Sequence, residues 1–145
     1  MTHIYHLRAL GACKSSIEFA SKYSTGQEAW DACELVNWLL WYGCHTGQRV
    51  AADQILRRAV LRAARSYAAD ACDRAGLPAK AAELRGISDD ASYAEIRDIC
   101  RSAAAYADAA VYAAVYAYAV DVAVDAEKTL QLADCKELLA YREDV

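Results

Sequence analysis

Three arginines are the residues of this sequence best suited to recognising a charged group. Arg58, Arg62 and Arg65 recur at helical spacing and fall within a narrow stripe on one face of a helix. Guanidinium groups hold phosphates and carboxylates through paired hydrogen bonds, so the stripe indicates a site for one of these groups. A solvated helix face, or pairing with the acidic second half of the chain, would use the same residues, and the sequence leaves both alternatives open.

The three tryptophans of the chain stand close together in a block that also carries two carboxylates. Trp38 and Trp41 share a helix face, and Asp31 and Glu34 lie just before them. Exposed tryptophans beside acidic residues would form the centre of a protein interface. The sequence favours burial of the rings as core, with the carboxylates as a solvated rim, and keeps all four residues as candidates for contact with a partner.

Residues that could catalyse a reaction or bind a metal form no recognised pattern. Cys44 and His45 are adjacent, and an imidazole beside a thiol would suit a small thiol enzyme, but no glycine run that could form an oxyanion hole surrounds them. His3 and His6 lack further ligands that would complete a zinc site. The sequence therefore predicts no catalytic residue, no cofactor and no metal ion.

Charge is divided unevenly along the chain. The net charge is −4, yet residues 1–65 carry an excess of Lys and Arg and residues 66–145 an excess of Asp and Glu. The acidic total disfavours binding to nucleic acid, and the asymmetry would steer a charged partner. The second half is the expected surface for a basic partner, through Asp89, Asp90, Glu95 and Asp98.

The elements that must position these groups are helices. Alanine, the best helix former, makes up about a quarter of the chain, and there is one proline. A polar and aromatic arm is expected over 1–8, and Thr25 with Glu28 predicts a capping box. Pro78 predicts a helix start. The expected helices cover about 10–22, 26–35, 36–44, 48–74, 78–84, 91–125 and 127–141.

Two of these helices have informative patterns. In the helix over 48–74, Leu56, Val60 and Tyr67 fall opposite the arginines, as in an amphipathic helix. The helix over 91–125 has no broad polar face, and alanines form a seam along it, which is typical of a buried central helix. The sequence thus predicts an all-α fold. It is a single-domain helical bundle over 1–145 around a long alanine- and tyrosine-rich central helix.

Cysteine usage and hydropathy indicate where such a protein would work. The six cysteines are widely spaced, and the N-terminal residues show no apolar signal region, so we expect reduced thiols in the cytoplasm. The most apolar stretch is interrupted by Asp108 and Asp121, and the run between them is too short to span a bilayer. No membrane association is expected.

The order of several motifs resembles a family of immunity proteins of bacterial polymorphic toxin systems, which is also frequent in phage genomes. The motifs are Ala-Cys13-x4-Glu18-Phe19-Ala20 and then Trp30-x2-Cys33-x4-Trp38-Leu-Leu-Trp41, followed by the arginine-rich and the alanine- and tyrosine-rich helices. Asn37 departs from the family pattern, which has Asp before the first Trp of the Trp-x2-Trp pair. The resemblance implies a protein that binds or inhibits another protein.

The function predicted from the sequence is therefore that of a non-enzymatic inhibitor. It would block the active site or binding groove of a protein partner, either a toxin or a component of host defence. The alternatives are a nucleic-acid-associated protein that uses Arg58, Arg62 and Arg65, and a small thiol enzyme built on Cys44 and His45. Association of the chain with itself is left open.

Overall fold

The fold is all-α, as the sequence predicts. The computed structural model describes residues 2–106 and 127–144, and every regular element within these ranges is helical. The helices are α1 (Thr2–Ala9), α2 (Lys14–Ala20), α3 (Gly26–Ala32), α4 (Val36–His45), α5 (Arg49–Arg62), α6 (Ala69–Arg74), α7 (Pro78–Arg85), α8 (Tyr93–Tyr106) and α9 (127–138), with a π-helical segment (Ala63–Ala68) between α5 and α6. Most of the predicted alanine- and tyrosine-rich central helix falls on 107–126, outside the described residues.

The chain forms two compact units. The first combines Met1–Ile55 with Thr129–Val145, and the second is the continuous stretch Leu56–Lys128. The single domain over 1–145 stays a prediction.

The first unit begins with a helix where the sequence predicts an arm. In α1, His3 and Ile4 are buried, and the His3 ring nitrogen Nε2 lies 3.2 Å from the Ala20 carbonyl oxygen. Gly11, with φ of +81°, then turns the chain between α1 and α2. The prediction of an arm over 1–8 is wrong because His3 finds a buried hydrogen-bond partner that local sequence does not reveal.

Helix α3 starts as its sequence predicts. The Glu28 backbone N–H donates to Thr25 Oγ1 at 3.1 Å, and Glu28 Oε2 accepts from the Thr25 N–H at 3.2 Å. This capping box satisfies N–H groups that the first turn leaves without partners. At the other end of α3, the Lys136 ammonium of α9 donates to the carbonyl oxygens of Trp30 and Asp31.

The C-terminal residues of the first unit are fixed by buried polar side chains. Gln48 Nε2 donates to the Ala140 carbonyl, and its Oε1 accepts from the Ala140 N–H, both at 2.9 Å. The Tyr42 hydroxyl donates to the Arg142 carbonyl at 2.9 Å and accepts from the Arg142 N–H at 3.0 Å. The core beside these contacts contains Trp30, Cys33, Leu39, Tyr42, Ile55, Cys135 and Leu139.

The second unit is built on the continuation of one long helical segment. Residues 49–74 are helical throughout, and the part from Leu56 onwards belongs to this unit. Arg85 of α7 contacts α6 through Asp70 at 2.9 Å and Asp73 at 2.6 Å. The core consists of Leu61, Ala64, Ala69, Cys72, Ala81, Leu84, Ile87, Ala91 and Ile96.

The residues that the amphipathic pattern predicts to be buried in this segment are not the ones that the structure buries. Leu56 and Val60 are 48% and 37% exposed, whereas Leu61 is buried in the core. Arg62 and Arg65, expected on the polar face, are half-buried. The reason is that acceptors inside the second unit pair with these guanidinium groups, while their methylene stems can pack on apolar neighbours.

Candidate functional site

Arg62 of the predicted arginine stripe forms an ion pair within the second unit. Its Nη2 lies 2.9 Å from Glu127 Oε1, and its Nε donates to Glu127 Oε2 at 3.2 Å. The side chains are 25% and 14% exposed, so water screens this pair only in part. The Tyr67 hydroxyl also donates to Glu127 at 3.4 Å. Burial, together with the Glu127 charge, raises the pKa of Tyr67.

Arg65 binds the turn that precedes α8. Its Nε donates to the Ile87 carbonyl at 3.0 Å, and its Nη1 lies 2.7 Å from Asp89 Oδ1. Arg57 supports the same turn by donating to the carbonyl oxygens of Asp89 and Ala91. Arg58 is exposed. The geometry of Arg62 and Arg65 thus corresponds to pairing with the acidic second half, one of the alternatives that the sequence leaves open.

Four acidic residues that the sequence selects lie in this turn and in α8. We call Asp89, Asp90, Glu95 and Asp98 the acidic segment, and all four are exposed. Asp89 pairs with Arg65 but keeps 85% of its side chain in solvent. Glu95 caps α8, because its Oε2 accepts from the Ser92 N–H at 3.1 Å. The segment therefore presents negative charge on a backbone that arginines and a cap hold in place.

The tryptophan block lines a cavity in the first unit. This aromatic cavity has a volume of about 300 Å³. Trp30 is buried, whereas Trp38 and Trp41 are half-buried at the wall. Asp31 and Glu34 are exposed and form no part of the lining. The rings in the wall are those of Phe19, Trp30, Trp38, Trp41, Tyr42 and Tyr141, in addition to the imidazole of His3.

The rings of the cavity wall support one another through edge and stacking contacts. Phe19 meets Trp38 edge-on with ring centres 5.8 Å apart, and Trp30 lies 5.4 Å from Tyr42. Tyr42 in turn stacks on Tyr141 at 5.6 Å. Such contacts add to the stabilisation that burial of the rings provides, within one group formed by Phe19 and Trp38 and another formed by Trp30, Tyr42 and Tyr141.

Tyr141 is one of the wall residues that the sequence does not predict. A Cβ atom on Gly26 would lie 2.1 Å from the Tyr141 hydroxyl oxygen, so the ring needs a glycine at that position. The hydroxyl oxygen is buried, and it has no hydrogen-bond partner among the described residues. Burial and the nearby Glu143 raise the pKa of Tyr141. Only the glycine at the start of α3 could have signalled this contact.

His45, the imidazole beside Cys44 in sequence, is directed at a backbone carbonyl. His45 Nδ1 lies 2.7 Å from the Trp41 carbonyl oxygen, and its ring stacks on the Trp41 ring at 4.3 Å. Cys44 is exposed, and the described residues show no hydrogen bond between its thiol and His45. The imidazole is therefore engaged with the preceding helical turn through Nδ1 and its ring face.

Cys13 differs from the other thiols in its surroundings. It is exposed at the start of α2, where its Sγ lies 3.4 Å from Ser16 Oγ. Hydrogen bonding with Ser16 lowers the pKa of Cys13. Burial has the opposite effect on Cys33, Cys72, Cys100 and Cys135, and it raises the pKa of Cys135 to about 11.

This contrast predicts the order in which the thiols react with an alkylating agent. Near neutral pH, iodoacetamide is expected to modify Cys13 at least about tenfold faster than Cys135, because the reactive species is the exposed thiolate. Peptide mass spectrometry at successive times measures both rates. Ser16→Ala removes the hydroxyl and should slow modification of Cys13 alone; an unchanged rate in that variant would contradict the role given to Ser16.

The described residues contain neither a cluster of metal-binding side chains nor a helix suited to span a membrane. Within 2–106 and 127–144, no group of three or more His, Cys, Asp or Glu side chains could hold a metal ion. No helix in these ranges combines the length and the apolar character that crossing a membrane requires.

The described residues thus define an all-helical protein with an aromatic cavity in one unit and an exposed acidic segment in the other. No protein-family model matches the chain, and no curated protein or solved structure is significantly similar to it.

Proposed function

We propose that the protein is a non-enzymatic inhibitor that binds a basic protein partner through the acidic segment. By its motifs it resembles toxin-immunity proteins and phage-encoded counter-defence proteins. The partner would be a toxin or a component of host defence that itself handles nucleic acid, and bound inhibitor would cover its active site or binding groove. The six free cysteines support a reducing compartment such as the cytoplasm.

The observation that carries this proposal is the contrast between the two sets of charged residues. Arg62 and Arg65 form ion pairs with Glu127 and Asp89 within the second unit. Asp90 and Glu95 face solvent instead. With Asp89 paired to Arg65 and Asp98 in contact with the exposed Arg97, the acidic segment keeps a net negative charge through Asp90 and Glu95. A basic protein surface is its electrostatic complement, and the attraction raises the rate of encounter and selects against acidic partners.

The acidic segment is also ordered before any partner arrives. Arg57 and Arg65 bind the backbone carbonyls of Ile87, Asp89 and Ala91. Carboxylates that are already held in place lose less conformational freedom when they bind, which favours affinity. The two alternative functions, a nucleic-acid-associated protein and a small thiol enzyme, lack such support. Arg62 and Arg65 are paired, and His45 contacts Trp41.

Charge substitution in the acidic segment tests the proposal. The variant D90K/E95Q/D98K reverses two charges and removes a third, while glutamine keeps an acceptor for the Ser92 N–H. The matched control E18K/E143Q/D144K makes the same change of net charge at exposed residues of the first unit. Immobilised wild type and control are expected to capture a basic host protein and to inhibit its activity, whereas the acidic-segment variant should recover at least about tenfold less of it.

Quantitative mass spectrometry of the captured protein, at low and high salt, gives the comparison. Recovery should fall with added salt because exposed charges are screened. Equal recovery by the acidic-segment variant and the control would exclude the acidic segment as the interface. A captured partner whose activity is unaffected would exclude inhibition.

A further inference from the structure

We propose that the aromatic cavity of the first unit is a binding site for a small, neutral aromatic molecule. This inference goes beyond the inhibitor function and does not depend on it, since the acidic segment contributes no residue to the cavity. The ligand class follows from the size of the cavity, from the chemistry of its wall and from the way in which the wall is held.

The size and the wall select a flat ring system. A volume of about 300 Å³ lies at the small end of the range for ligand pockets, and it holds a bicyclic molecule rather than a nucleotide or a large cofactor. Phe19, Trp38 and Tyr42 offer ring faces and edges to such a guest. Aromatic contacts of this kind are favourable beyond the apolar area that they bury.

The wall selects against charge. Of the described residues that line the cavity, none is Asp, Glu, Lys or Arg. An ionised ligand would lose its water without gaining a partner of opposite charge, which is costly. Neutral polar groups are present, however: Ser16, Asn37 and Tyr141 line the cavity. A ring that carries one neutral polar substituent, such as an amide, could form hydrogen bonds with these neutral polar groups.

The cavity is held open by contacts that do not involve a ligand. Tyr42 is fixed through the backbone N–H and carbonyl of Arg142, and Gln48 fixes Ala140, the residue before Tyr141. His6 adds a further contact, with its Nε2 3.0 Å from the Tyr42 hydroxyl. Because these bonds set the positions of two wall residues, little reorganisation would precede binding.

A matched pair of compounds tests the site on the full-length protein. Indole-3-carboxamide and indole-3-carboxylate are nearly the same shape, but only the second is charged at neutral pH. Isothermal titration calorimetry is expected to show binding of the carboxamide, with the carboxylate at least about tenfold weaker. Failure of the carboxamide to bind would overturn the proposal, and so would equal or tighter binding of the carboxylate.

Two substitutions locate the binding at the cavity. Cys13→Trp places a large ring on an exposed wall residue, whereas Cys44→Trp makes the same change at an exposed cysteine outside the wall. Carboxamide affinity should fall about tenfold or more in the first variant and stay at the wild-type value in the second. Asn37→Trp is a second way to obstruct the cavity if the first variant loses helical circular dichroism. Undiminished affinity in a folded obstructed variant would place the binding elsewhere and overturn the proposal.

Discussion

Replacing Gln48 with leucine is expected to destabilise the first unit by about 2–4 kcal/mol. The side chain of Gln48 is 6% exposed, and its amide bonds both the N–H and the carbonyl of Ala140. Its Nε2 also donates to the buried Thr46 hydroxyl at 2.8 Å. Leucine keeps the approximate volume but removes every one of these bonds, so polar groups that face it are left without partners.

Urea unfolding and hydrogen exchange measure this effect. Gln54→Leu is the matched control, because Gln54 lies exposed on α5 and should change stability by less than about 0.5 kcal/mol. In the Gln48 variant, amide protection should fall around 129–144 and in α4. Stability equal to that of the control would show that the bonds between Gln48 and Ala140 contribute nothing.

Gln48→Glu is expected to make the stability of the protein depend on pH through the same contact. One carboxyl oxygen can still accept the Ala140 N–H, but the other faces the Ala140 carbonyl oxygen in a buried place, so the pKa of the introduced acid rises above about 4.3 in the folded state. Because the folded protein then binds the proton more tightly than the unfolded chain, stability relative to wild type falls as pH rises from about 4 through that pKa. Below about pH 4 the protonated acid can donate to the carbonyl, and the deficit should be smallest.

Arg62→Met is expected to cost the second unit about 2–4 kcal/mol of stability. Glu127 is 14% exposed and would lose the two-pronged contact with the guanidinium group. A carboxylate that stays out of water without its cation is more costly than the ion pair is worth, so breaking the pair exceeds the usual effect of a surface substitution.

Arg97→Met is the matched control for this prediction. Arg97 is 58% exposed and contacts its neighbour Asp98 at 3.4 Å, so its loss should change stability by less than about 0.5 kcal/mol. Chemical denaturation of both variants gives the comparison. If Arg62→Met is no less stable than the control, Glu127 does not depend on this partner. The double variant R62M/E127L should recover part of the loss, since it removes the half-buried carboxylate together with the guanidinium group that binds it.

Local signals predicted the ends of the helices better than they predicted burial. The capping box of Thr25 and Glu28 is present, and α7 begins at Pro78. Gly76 ends the preceding helix with φ of +74°. Each of these depends on a few adjacent residues whose hydrogen bonds and backbone angles the sequence determines directly.

The face of the long helical segment could not be predicted in the same way. The π-helical segment Ala63–Ala68 changes the register only of the residues that follow it, whereas Leu56 and Val60 precede it in α5. Burial of Arg62 and Arg65 depends on acceptors at Glu127 and Ile87, far away in sequence. No pattern within the helix contains that information.

The cavity was predictable in part. The tryptophan block predicts rings buried as core, and Trp30 is buried while Trp38 and Trp41 pack partly buried against the same core. The sequence did not place Tyr141 or Phe19 beside it, because those contacts depend on how α2 and the C-terminal residues fold against α4. That the acidic segment binds a partner stays a prediction.

The first unit is assembled from two stretches that lie far apart along the chain, and this affects its synthesis. Residues 1–55 leave the ribosome well before 129–144, which supply Cys135 and Leu139 to the core of the first unit and Tyr141 to the cavity wall. The continuous stretch Leu56–Lys128 lies between them in the order of synthesis. Until 129–144 join the first unit, the tryptophan block keeps part of its apolar surface uncovered, and exposed apolar surface of this kind favours aggregation.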